Sequence, residues 1–120
     1  MVIIIEFKSQ IYLFWYIGKC VYEKQKIYEN AIKKYSEYCS YLFGNSFLFT
    51  RENVYLMKRF YLNFPVYYSK LDNISWDQYK LLLMIPNKKE RMFYFNLSIL
   101  FKSDLYDTNS FIMNNYYHRI

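Results

Sequence analysis

Residues 50–65 read Thr-Arg-Glu-Asn-Val-Tyr-Leu-Met-Lys-Arg-Phe-Tyr-Leu-Asn-Phe-Pro, and this stretch decides the fold. Thr50 offers a side-chain oxygen to the amides of a first helical turn, which have no partner within the helix. Pro65 closes the segment, because proline has no amide hydrogen and disfavours helical geometry in the residue before it. A helix turns by about 100° per residue. Starting from Arg51, that step places Val54, Met57, Phe60, Tyr61 and Phe64 on one side. Arg51, Tyr55, Lys58 and Arg59 take the opposite side, with Leu62 among them. The spacing predicts a helix over residues 51–64 with an oily back to bury and a cationic, aromatic front.

Upstream, Gly44-Asn45-Ser46 is the clearest turn in the chain, with Gly44 where a left-handed residue ends a helix. The helix it ends is expected to be capped by Asn30, with an apolar stripe of Ile32, Tyr35, Tyr38, Cys39, Leu42 and Phe43. Before that, Ile4, Phe7, Ile11, Phe14, Ile17 and Val21 recur at helical steps and predict a long helix over residues 3–27, or a short strand over residues 2–7 ahead of it. Gly18 inside this segment costs about 1 kcal/mol relative to alanine. A second helix crossing closely at that point explains why it is there. Downstream, Ser75-Trp76-Asp77-Gln78 is a capping box that opens a helix over residues 76–85, apolar almost all round and so expected to be buried. Asn87-Lys88-Lys89-Glu90 resembles a second box and opens a helix to about residue 102. A last helical stretch is expected from residue 109 to the end. The reading is all-α: a helix-turn-helix or winged-helix-like bundle of about five helices, in a single domain over residues 1–120.

Composition agrees with a packed domain. Of 120 residues, 54% are hydrophobic and 24% aromatic, which supplies ample apolar area and excludes intrinsic disorder. Most of the 16 tyrosines read as packing material with a polar tip. Sixteen Lys and Arg against ten Asp and Glu give a net charge of +6, which favours a polyanionic partner. Cys20 and Cys39 stand nineteen positions apart, and His118 is the only histidine. A structural zinc site needs about four such ligands in close pairs, so no metal or cofactor is expected and the thiols read as small buried hydrophobes. The apolar runs near the amino terminus are broken by Glu6, Lys8, Ser9 and Gln10, short of the roughly 20 residues a membrane span needs. With no secretory pattern either, a cytoplasmic location is expected.

A helix with an apolar back and a cationic front, preceded by a helix and a glycine turn, is what helix-turn-helix DNA binding requires. The expected contacts come from Arg51, Tyr55, Lys58 and Arg59. Three cations are also what the solvated face of an ordinary surface helix carries, so the pattern does not settle function alone.

Several motifs in order resemble the N-terminal domain of the YhcG family. They are Trp15-Tyr16-Ile17-Gly18-Lys19, Phe43-Gly44, the run Thr50 to Tyr61, Ser75-Trp76, Tyr79, and Arg91-Met92-Phe93-Tyr94. The resemblance covers about residues 11–94 and leaves 95–120 as a divergent tail. It implies a helical, winged-helix-like module for nucleic-acid binding or assembly, of a prokaryotic kind that precedes a PD-(D/E)xK nuclease domain. No such domain is found within these 120 residues. Where the family continues Ser-Trp with Ser-His, this chain has Asp77 and Gln78, so no role of that histidine carries over.

No catalytic residues are assigned. Val2 to Lys8 resembles half of a PD-(D/E)xK site, but two acids are needed to hold Mg²⁺ and no Asp precedes Glu6 in this chain. The expected function is therefore a non-enzymatic DNA-binding module. The alternatives are a protein–protein module, dimerising or docking on a PD-(D/E)xK nuclease chain through exposed Tyr12, Tyr16, Tyr67 and Tyr68, or a truncated gene remnant.

Overall fold

In the computed structural model, residues 9–119 are described, and they form six α-helices and two 3₁₀ turns with no strand among them. The all-helical expectation holds, with one helix more than anticipated and no β-wing in the described part. The readings placed on residues 2–8 lie outside the described residues. After Tyr67 the chain divides into two compact units.

In the first unit, helix α1 spans Gln10–Gln25, α2 Ala31–Phe43 and α3 Arg51–Asn63. The long helix expected from residue 3 begins only at Gln10. Ser9 is extended and its Oγ accepts from the Tyr12 amide at 2.9 Å, a cap that starts a helix afresh. Asn30 makes no side-chain cap for α2, contrary to expectation. Gly44 does end that helix in the left-handed conformation, at φ 66°. Asn45 Oδ1 then accepts from the amides of Phe47 and Leu48, and Thr50 Oγ1 caps α3 through the Asn53 amide at 3.1 Å.

Helix α3 rests chiefly on α1 and less on α2. Gly18 is the reason the two can approach. A Cβ placed there would lie 2.5 Å from the Met57 carbonyl carbon and closer still to its oxygen. Phe14, Val21, Val54, Met57 and Phe60 are fully buried around this crossing. The Trp15 indole donates to the Phe64 carbonyl at 2.7 Å, and Ser36 Oγ donates to the Phe49 carbonyl at 2.6 Å, so the chain entering and leaving α3 is fixed by buried hydrogen bonds.

The second unit begins with a 3₁₀ turn, Ser69–Asn73, followed by α4 Trp76–Leu83, α5 Lys88–Leu100, α6 Leu105–Met113 and a 3₁₀ turn at Tyr116–Arg119. The box at Ser75–Gln78 is reciprocal, as expected. Asn87 caps α5 by accepting from the Glu90 amide. A further reciprocal box, Asp104 with Asp107, starts α6 at Leu105, earlier than the residue 109 expected. Gln78 also reaches across the unit. Its Nε2 donates to the Ser103 carbonyl at 2.8 Å and to Thr108 Oγ1 at 2.9 Å, all in buried surroundings. Tyr79, Leu82, Leu83, Tyr94 and Phe95 complete this core, and Tyr94 Oη accepts from the Tyr117 amide.

Candidate nucleic-acid interface

The back of α3 is Val54, Met57 and Phe60, each with no exposed surface. Its front places the sequence-predicted residues on one exposed side. Arg51 and Tyr55 are exposed, Lys58 and Arg59 are half-buried, and Leu62 lies open among them. Long basic side chains of this kind rest their methylenes on apolar neighbours while the charged head stays in water. No acid among the described residues pairs with Arg51, Lys58 or Arg59. Glu52, in the first turn, is the one carboxylate of the helix and sits where it meets the positive end of the dipole.

Two further cations, Lys19 of α1 and Lys26 just after its end, rest on aromatic rings, and the sequence reading did not single them out. Lys19 Nζ lies 5.8 Å from the Trp15 ring centroid, and Lys26 Nζ lies 5.0 Å from that of Tyr22. Tyr61 of α3 meets the same two rings, at 5.5 Å from Trp15 and 5.9 Å from Tyr22. Tyr61 lies on the side of α3 that packs on α1, so these rings and the cations over them border the α1–α3 contact. The signal was available: 15 and 19, and 22 and 26, are pairs four residues apart, and 15 and 22 share a helix face.

Of the tyrosines expected to be free for a partner, Tyr12 and Tyr67 pack edge-to-face at 4.7 Å and both lean on Trp15. Tyr16 and Tyr68 are exposed. Burial pushes the Cys39 thiol up to about 11 and also raises that of half-buried Cys20, so both are poor nucleophiles near neutral pH. Among the described residues no group of three or more His, Cys, Asp and Glu is placed to hold a metal ion, and no helix is long and apolar enough to cross a membrane.

The described residues form an all-helical module that carries Arg51, Tyr55, Lys58 and Arg59 on the outer side of α3. Its motif residues are mainly those that build the fold: Trp15 and Gly18 at the crossing, Thr50 and Ser75 as caps, Tyr79 and Tyr94 in the second core. A family model for the DUF1016 N-terminal domain matches residues 6–119, and the chain belongs to that family, in line with its resemblance to YhcG. No curated protein and no solved structure matches it.

Proposed function

We propose that this chain is a DNA-binding module that catalyses no reaction, with α3 as its recognition element in the manner of a helix-turn-helix. The single observation that carries the reading is the set of cations on the α3 front, Arg51, Lys58 and Arg59, that no acid among the described residues neutralises. A cation already paired with a carboxylate must give up that partner to meet a phosphate; these need not. Arg51 and Arg59 would reach phosphates or base edges with two parallel hydrogen bonds, Lys58 would act as a point charge, and Tyr55 would pack on the backbone or a base. Lys19 and Lys26 extend the footprint along α1. The connection from α2 to α3 runs from Gly44 to Thr50, longer than the usual three- to four-residue turn, so the resemblance to a helix-turn-helix lies in the exposed second helix more than in the turn. The two free thiols fit a reducing, cytoplasmic setting.

The test is fluorescence anisotropy of labelled duplex DNA against the full chain over a range of salt. Each phosphate contact contributes about 0.9 to the slope of log affinity on log salt. Reversing Lys58→Glu and Arg59→Glu together is expected to weaken binding and flatten that slope by about 2. An unchanged slope and affinity removes α3 from the interface.

A further inference from the structure

The second unit holds an open cleft between the 3₁₀ turn Ser69–Asn73 and α5, made of two hollows that share Ile99. One, of about 370 Å³, is lined by Tyr68, Lys70, Phe95, Asn96, Ile99 and Leu100. The other, of about 330 Å³, is lined by Asn73, Ile99 and Lys102. Each lies in the range of roughly 300–1,000 Å³ of small-molecule sites, which combine an apolar lining with a few polar groups. The polar groups of this cleft are uncommitted. Among the described residues, no acid pairs with Lys70 or Lys102, and the Asn73 and Asn96 carboxamides make no hydrogen bond. The Tyr68 ring, 43% exposed, stacks on no other ring there. No carboxylate lines either hollow. Lys102 adds a second, independent observation. Its φ is 50°, one residue beyond the C-cap Phe101 of α5, in the left-handed region where a helix usually ends on glycine. Lysine is held there at a backbone cost that glycine avoids.

We infer that this cleft binds a small anion that carries a flat, hydrogen-bonding ring, the chemistry of a nucleoside monophosphate. Lys70 and Lys102, with no acid beside them in the lining, attract an anion, and lysine meets a phosphate as a point charge. Each carboxamide, of Asn73 and Asn96, offers both a donor and an acceptor, the complement of a base edge. The Tyr68 ring and the apolar wall of Ile99 and Leu100 suit the face of a ring. A neutral ring alone would leave the lysines unused, and a bare phosphate would leave the amides and the apolar wall unused. The inference is independent of DNA binding through α3, because both hollows are built from residues 68–102.

A two-dimensional amide NMR titration of the full chain with adenosine monophosphate, and separately with uridine monophosphate, tests it. At least one of the two is expected to give saturable shifts centred on residues 68–73 and 95–102. The matching nucleoside, which lacks the anion, and inorganic phosphate, which lacks the ring, are each expected to bind at least about tenfold more weakly. Lys70→Ala is expected to lower affinity about tenfold, the scale of one charge-assisted hydrogen bond. Lys102→Gly is expected to lower it by a similar factor while unfolding at the same or a higher urea concentration, because glycine suits the left-handed backbone. A lysine kept for structure alone would not separate those two readouts. Three results overturn the inference: no saturable shift in the cleft with either nucleotide, a nucleoside or inorganic phosphate bound as tightly as the nucleotide, or an affinity that survives both lysine variants.

Discussion

Gly18 is where one side chain's absence sets the position of two helices. The space a Cβ would need is occupied by the backbone of Met57, which cannot move without shifting α3. Overpacking of a tight core costs roughly 1–3 kcal/mol, and more where backbone must yield. Gly18→Ala is therefore expected to lower unfolding stability by about 3 kcal/mol in urea titration, although alanine favours helix formation at an exposed site. Equal stability would mean that the helices are further apart than described. Cys39 gives a prediction in pH. Its thiol is raised from 9.0 to about 11 by burial, so the folded chain holds that proton after the unfolded chain has released it. The stability it contributes is complete below about pH 9 and is lost as pH rises toward 11. In thermal melts from pH 8 to 11, the fall in Tm is expected to be shallower for Cys39→Ala than for wild type; parallel curves would contradict the burial of the thiol.

Whole elements were legible wherever their ends are fixed locally. Thr50 and Ser75 each accept from the amide three residues on, and Gly44 takes the left-handed conformation, so α3, α4 and the end of α2 fall where the side chains indicate. The start of α6 was missed because its box pairs two aspartates, Asp104 and Asp107, instead of ending on Glu or Gln. Helix α2 shows what periodicity leaves open: of its stripe Cys39 is buried, while Tyr38, Leu42 and Phe43 are exposed. Its periodicity identifies an apolar stripe, but whether a stripe is buried depends on what covers it, and α1 and α3 pack on each other more than on α2. The candidate site was half legible: the wheel of α3 placed Arg51, Tyr55, Lys58 and Arg59 together, while the stacking of Lys19 and Lys26 on Trp15 and Tyr22, rings that Tyr61 packs against, depends on tertiary contacts. In the second unit, Gln78 ties the start of α4 to α6 with buried hydrogen bonds. Gln78→Ala removes half of a capping box and leaves the Ser103 carbonyl without that donor, a loss of about 2–3 kcal/mol expected in urea unfolding. A loss below about 0.5 kcal/mol would mean that solvent replaces those bonds.

At the scale of the whole molecule, charge is not evenly spread along the chain. Residues 9–67 carry eight Lys and Arg against four Asp and Glu, whereas residues 68–119 carry seven against five. The surplus thus lies with the helices that build the candidate interface, and a DNA titration should reflect that. Charge reversal of Lys19 and Lys26 is expected to lower the salt slope by a further amount of about 2, whereas reversal of Lys88 and Lys89 in the second unit should leave it unchanged; equal effects from both pairs would mean that the chain attracts DNA only through its net charge. The most direct measurement is a two-dimensional amide NMR titration of the full chain with a short DNA duplex. Shifts are expected to concentrate in residues 51–59 of α3 and in residues 19–26 at the end of α1, and to weaken as salt is added. Shifts confined to residues 38–47 or to residues 68–119, or none at all, would contradict binding through the α3 front.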